Sequence, residues 1–436
     1  MKSNLLFFVF IPFSIFINAQ GNSPFSYYGP GTFTESSFQS NFTKSGAGVS
    51  SSSKNMLNPI NPATYSNLTL TTGETGIYSS INFIGHNESK DIISNSNMGG
   101  FGLGIPLGEK FGGAFGLTSL SKQNYSFSYI QELSDGSEVE EIYEGNGGLS
   151  KLFLGLGTTY KKISIGANGH YIFGRLNDIS KEKYNSADYK SIRFQEYNNV
   201  SGFNFNAGLQ FKQNFNTQNY FILGSSLDFG GTQNTSNYLV ANYFTVGQAT
   251  TTNNKVTEAE FHETTDFVID DRDDPKKGKI ILPSTIQAGF SVGKSDNWEG
   301  SIEYRMRTLS SYELNDQSSS LNNSNTIIIA GSIIPNKKAL GRSNYWKTTS
   351  YNIGAHLGNS GIVVSEEELN EFGINFGFGL PLKKFKYQTE TFGSSIFLSF
   401  GYVNRFNTVL DVTENFLNIN ASVILNDKWF IKRKFK

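Results

Sequence analysis

The residues of this chain whose types could support chemistry are four histidines, one acidic run and several glycine-rich stretches. His86, His170, His262 and His356 fall in different predicted segments, and no spacing among them would bring two imidazoles onto one metal ion, so they read as loop or lumen polarity. His170 stands apart because Ile163, Ile165, Ala167, Tyr171 and Phe173 alternate around it and turn it to the polar face of a strand. A hydrolase would use such a histidine together with a serine, and no serine partner is identifiable. Asp270, Asp271, Asp273 and Asp274 precede Lys276, Lys277 and Lys279 but lack the glycine and distal glutamate of a calcium loop; the run reads as a solvated loop face, with loosely held divalent ions as the alternative. Gly99, Gly100, Gly102 and Gly104 resemble a nucleotide loop only superficially, because no helix follows them; they read as strand glycines. Gly112, Gly113 and Gly116 carry two readings, a kink where a wall opens or clearance for chain packed inside it. The absence of cysteine removes thiol catalysis, cysteine-ligated metals, disulfides and a lipoprotein anchor. No catalytic residue, metal ligand or cofactor is assigned.

The elements that must position these residues are strands. Phe203, Phe205, Ala207, Leu209 and Phe211 alternate with Asn204, Asn206, Gln210 and Lys212, and Leu417, Ile419, Ala421, Val423 and Leu425 alternate with Asn418, Asn420 and Ser422. Ile374, Phe376, Phe378 and Leu380 repeat the pattern against Asn375 and glycines. About fourteen such segments of ~10–20 residues follow residue 69, longer than the ~5–6 of soluble strands and even in number. Short connections at 107–110, 161–162, 214–218 and 294–297 alternate with long ones at 134–146, 178–190 and 231–279, as in outer-membrane barrels with short periplasmic turns and long outer loops. The connections 334–346 and 382–394 are longer than that convention. The expected fold is therefore all-β, a transmembrane antiparallel β-barrel of about fourteen strands over residues 69–436. Ser365 with Glu368 three residues on predicts a one-turn helix closed by Gly373. Trp429 and Phe430 suit an interfacial aromatic girdle, and the basic residues around them a periplasmic mouth.

Composition agrees with a barrel: 37% hydrophobic and 14% aromatic, with 38 Phe, 21 Tyr and 45 Gly. A net charge of −1 gives no electrostatic case for nucleic acid. Lys2, the apolar run 5–17 and Asn18-Ala19 before Gln20 predict a cleaved signal peptide over 1–19. Together these point to the outer membrane of a gram-negative cell. Residues 20–55 sustain no period, and the steps Asn58-Pro59 and Asn61-Pro62-Ala63 fix a rigid turned path that no ladder strand follows. Residues 20–68 are expected to fold into the lumen as a plug, where irregular backbone at membrane depth is tolerated.

On Asn61-Pro62-Ala63 leading into the first strand, Leu282-Pro283 opening a hairpin that continues through Trp298 to Glu303, and the closing residues Asn426, Asp427, Lys428, Trp429 and Phe430, the chain resembles a divergent branch of the FadL family of outer-membrane channels for long-chain fatty acids and other hydrophobic compounds. The resemblance covers the whole mature chain. It implies a fourteen-stranded barrel without enzymatic activity, gated by a plug at Asn58, Pro59, Asn61, Pro62 and Ala63, with sideways exit to the lipid near Gly112, Gly113 and Gly116. Its implied partners are outer-membrane lipid and a hydrophobic ligand. Thr64 and Tyr65 depart from the small apolar residues usual after that Asn-Pro-Ala step. Members of the branch also serve as accessory barrels that dock protein-secretion or outer-membrane-assembly partners, and this remains the alternative.

Overall fold

In a water-soluble sheet the apolar face of each strand is the core; here the order is inverted. Phe203 and Phe205 are 73% and 63% exposed while Asn204 and Asn206 between and beyond them are buried. Ile327, Ile329, Ile353, Leu357, Leu417 and Ile419 are likewise exposed, and Asn352, Asn375 and Asn420 on the opposite face are buried. A continuous belt of exposed aliphatic and aromatic side chains around a polar interior is stable only against lipid.

The computed structural model describes residues 23–428 except 35–37, 52, 87–88, 185–188, 247–250, 253–254, 257–260, 340, 365, 388–389 and 408–411. The wall begins with β1 (Thr71–His86), β2 (Ser89–Pro106), β3 (Phe111–Glu132), β4 (Glu138–Tyr160), β5 (Ile163–Tyr184) and β6 (Ile192–Asn214). β7 runs as Asn219–Phe229 and Gly231–Val246, and β8 as Phe261–Asp270, Lys276–Leu282 and Thr285–Lys294. The breaks in these two strands face one another: a Cβ on Gly230 would lie 2.2 Å from the Leu282 carbonyl oxygen, and Pro283 has no N–H for a ladder. β9 (Trp298–Arg307), β10 (Ser324–Ile333), β11 (Ser350–Val364), β12 (Glu367–Tyr387), β13 (Glu390–Asn407) and β14 (Val412–Asp427) complete it. β14 pairs antiparallel with β1 from Thr71↔Asp427 to His86↔Val412, so the fourteen strands close on themselves as the sequence predicts.

The strands are longer than the alternation suggests. β4 and β6 have 23 residues each, about 75 Å of extended chain, where ~9–11 tilted residues cross the hydrocarbon. The long loops expected at 134–146 and 178–190 are therefore mostly strand: β4 begins at Glu138, and β5 runs to Tyr184. Residues 231–279 likewise carry much of β7 and β8, and 382–394 continue β12 and β13. The one-turn helix expected from Ser365 to Gly373 does not form: Val363↔Glu368 and Val364↔Glu367 pair across a hairpin, and the cross-strand ladder outweighs a local cap. Ser365 lies outside the described residues, as do Trp429, Phe430 and the predicted signal peptide.

Residues 23–70 add three short 3-10 turns, Pro24–Tyr27, Gln39–Lys44 and Pro62–Asn67. Asn61 caps the last by accepting from the Ala63 N–H, with Pro62 at its first position. Phe38, Leu57, Tyr65 and Leu68 of this segment form a buried cluster with Ala114 and Phe153 from the inward face of β3 and β4.

If the exposed belt faces hydrocarbon, Phe203→Arg destabilises the barrel in lipid by about 2–4 kcal/mol at mid-depth. Urea titration of protein folded into vesicles measures it, and an unchanged midpoint would place that face elsewhere.

Candidate functional site: a lateral seam beside an internal cavity

The N-terminal segment is held by side chains that the strand period turns inward. In β9, Ile302 and Tyr304 face out and Glu303 faces in, only 3% exposed. Its carboxylate accepts the backbone N–H groups of Gly48 (2.9 Å), Val49 (3.2 Å) and Ser50 (3.1 Å) and the Ser50 hydroxyl (3.1 Å). Three successive amides converging on one carboxylate form an anion nest, which satisfies a charge that burial would otherwise penalise heavily. The Gln210 amide donates to the carbonyls of Val49 and Ser51 at 3.0 Å each, and the Ser291 hydroxyl to that of Ser50 at 2.8 Å.

Asn58 and Asn61 tie the turned path to the same place. Asn58 Nδ2 donates to the Gly48 carbonyl at 2.7 Å, and Asn61 Nδ2 reaches the carbonyls of Val49 (2.8 Å), Leu209 (3.2 Å) and Ser225 (3.3 Å). Asn168 of β5 donates to Pro59 O at 3.3 Å and accepts the Tyr65 hydroxyl at 3.0 Å. Pro62 and Ala63 press on β5, where a Cβ on Gly166 would lie 2.4–2.6 Å from their backbone. The bulky Tyr65 is fully buried here, where the FadL-family pattern has small residues.

Gly112, Gly113 and Gly116 sit inside the short β2–β3 ladder, opposite Pro106, Ile105 and Gly102. Gly112 gives clearance to the N-terminal segment, since a Cβ there would lie 1.9 Å from the Tyr65 carbonyl oxygen. Gly116 abuts the backbone of Phe101 and Gly102, and Gly113 meets the side chains of Leu107 and Leu156. The ladder runs only from Pro106↔Gly112 to Phe101↔Leu117, one residue above Gly116. Beyond it β2 continues paired to β1 and β3 continues paired to β4, but among the described residues β2 and β3 are not paired with each other. The wall has a lateral seam there. Its β3 side is lined by the N-terminal segment: Thr32↔Lys122 and Phe33↔Ser121 pair antiparallel, Thr34 N donates to Leu120 O at 2.9 Å, and Ser23 N to Asn124 O at 3.3 Å.

Behind this strand lies a cavity of about 300 Å³. Phe33, Phe42, Leu321, Ile362, Val403 and Phe416 give it apolar surface, and Lys122, Arg305, Arg307 and Arg405 give it cations. Lys122 Nζ sits 3.7 Å from the Tyr78 ring centroid, buried and without a hydrogen-bond acceptor. Glu371 is held between Arg405 Nε at 2.5 Å and His356 Nε2 at 3.1 Å. Glu414 accepts the Ser23 hydroxyl and Asn82 Nδ2, each at 3.0 Å. Sequence reasoning did not find this cavity, because its lining comes from many strands far apart in the chain.

His170 faces inward as its period predicts and is 3% exposed. The charged groups beside it are Lys151 and Asp228, themselves paired at 2.8 Å, and its Nδ1 has no hydrogen-bond partner. His86 ends β1 and His262 follows Phe261 at the start of β8, and neither strand pairs with β5. Asp270 pairs with Arg272 and Asp271 with Lys276, and no cluster of metal-ligating side chains exists among the described residues.

The family model described as BamG matches the whole chain, residues 1–436. The fold is similar to the crystal structure of a Pseudomonas aeruginosa FadL homologue, 9% identical, covering 91% of this chain and 99% of that one with a TM-score of 0.57. It is also similar to crystal structures of the Pseudomonas putida toluene transporter TodX. One, 12% identical, covers 91% of this chain and 99% of that one with a TM-score of 0.54. Another, 11% identical, covers 91% and 100% with a TM-score of 0.55. The FadL-like barrel that the sequence resemblance implies is thus the fold found. No curated protein matches the chain.

The clasp on Glu303 makes a direct prediction. Glu303→Ala strands three buried amides and should weaken the local structure by about 3 kcal/mol, so that the amides of Gly48, Val49 and Ser50 exchange ~100-fold faster. Hydrogen exchange read by mass spectrometry checks this, and unchanged protection would show that other contacts hold the segment.

Proposed function

We propose that this chain, which belongs to the BamG family, uses its FadL-like membrane barrel and the seam in its wall as an outer-membrane channel for passive uptake of hydrophobic small molecules. Residues 1–19 act as a cleaved export signal and residues 20–68 as the plug, with Asn58, Pro59, Asn61, Pro62 and Ala63 fixing its closed form. The observation that carries the reading is adjacency: Phe33 and Thr34 line the cavity and are also the strand seated on the β3 side of the seam. Displacing that strand would join the cavity to the bilayer, above a paired foot formed by Gly112, Gly113 and Gly116. A greasy solute gains by leaving sideways into lipid instead of crossing to aqueous periplasm. The cavity's cations beside Phe33 and Phe416 suit an amphiphilic acid, and a long-chain fatty acid is the substrate class proposed.

A second reading, an accessory barrel that docks a secretion or assembly partner and transports nothing, is favoured by the height of the wall. The β3–β4 hairpin rises far above the apolar belt and presents Tyr129 and Ile130, 49% and 67% exposed. Both readings are non-enzymatic.

The chain has no cysteine, so a single engineered pair is specific. Phe33→Cys with Ser121→Cys, directly opposite in the ladder, meets the geometry of a cross-strand disulfide. Oxidation is predicted to abolish fatty-acid uptake into proteoliposomes and reduction to restore it; uptake unaffected by oxidation contradicts exit at the seam. Lys122→Met is predicted to lower uptake of the acid and leave that of a neutral hydrocarbon unchanged. Equal loss of both would show that Lys122 serves the wall and not the headgroup.

A further inference from the structure

Above Phe101, one edge of β2 is covered by β1, from Ile77↔Met98 to His86↔Ser89, while the edge facing the seam has no ladder partner among the described residues. Ile92 and Met98 on this stretch are 68% and 59% exposed on the outward face, which places it at the apolar belt. Backbone groups at that depth have no water to satisfy them and require a pairing strand. Exposed edges are ordinarily guarded by charges or proline. Lys90 and Asp91 guard only its far end; Ile92, Ile93, Ser94, Asn95, Ser96, Asn97, Met98, Gly99 and Gly100 include neither. The facing edge of β3 shows what chemistry the seam accepts. Ser23, Thr32, Phe33 and Thr34 occupy it up to Asn124 by strand-type hydrogen bonds, and above that Tyr125, Ser126, Phe127, Ser128, Tyr129 and Ile130 are again free of charge.

We propose that the seam between β2 and the upper part of β3 receives an extended strand from another polypeptide, which completes the wall by pairing with the edge from Ile92 to Asn97. Its side chains alternate, apolar towards lipid beside Ile92 and Met98, small and polar towards the lumen beside Asn95. This inference rests on the docking reading, and an inserted strand and a departing solute would use the same opening.

The test compares the protein purified alone in lipid nanodiscs with the same protein isolated mildly from its native membrane. A photo-reactive phenylalanine analogue replaces Ser94 on β2 or Ser126 on β3, with Ile419 on the closed wall as control. The proposal expects adducts from Ser94 and Ser126, but not Ile419, that map to one contiguous segment of a second polypeptide. It also expects amides 92–97 to exchange at least ~10-fold more slowly in the native preparation than in the nanodisc. Adducts confined to lipid, to a second copy of this chain or to its own N-terminal residues would overturn it. So would amides already protected in the isolated protein. Loss of fatty-acid uptake in the disulfide-locked barrel is read separately, so failure of the uptake proposal and failure of this one are distinguishable.

Discussion

A single buried carboxylate organises the interior of this barrel. Glu303 stands on a strand whose other face meets lipid, so its charge cannot reach bulk water without crossing the lumen. The amides of Gly48, Val49 and Ser50 supply its hydration instead. Once that turn is fixed, the carbonyls of Gly48 and Val49 present themselves to Asn58 and Asn61, and the Asn-Pro path is drawn to β5 and β6. Chain that would have no structure of its own thus becomes buried at nearly every residue between 38 and 50. The polar interior is a template, with Asn168, Gln210 and Ser291 of three strands offering amide or hydroxyl groups to irregular backbone that needs partners.

The same N-terminal segment explains why the wall tolerates a seam. β2 and β3 separate above Leu117, and the segment lends Thr32 and Phe33 to the β3 edge that β2 has left. Its first described residue, Ser23, reaches Glu414, whose neighbours Arg405 and Asn82 belong to β13 and β1. The described residues of this segment therefore reach Glu303, the cavity and the seam.

The barrel was legible in the sequence because lipid-facing alternation and turn spacing are local signals. Phe203, Phe205 and Leu209 lie where their period places them, and His170 faces inward for the same reason. The wall's height was not legible: the upper part of β4 carries Glu138, Glu140, Glu141 and Glu144, which water on both faces permits and which reads as loop. The false helix at Ser365 came from a local capping pattern that cross-strand pairing of Val363 and Val364 overrode. Glu303 entered the sequence reading only as the end of the hairpin from Trp298, because its partners lie some 250 residues earlier. The seam and the cavity depend on which strands fail to pair and on side chains drawn from many strands, information that no single stretch of sequence contains.

The central claim is that β2 and β3 part above Leu117 while Thr32 and Phe33 of the N-terminal segment pair with the edge of β3. An electron cryo-microscopy structure of the protein in a lipid nanodisc tests it most directly. The account predicts a β2–β3 ladder ending at Phe101 and Leu117, residues 32–34 seated on β3, and lipid-like density against the exposed edge of β2. A continuous β2–β3 ladder reaching Ser94 or beyond, with residues 32–34 away from β3, would contradict it.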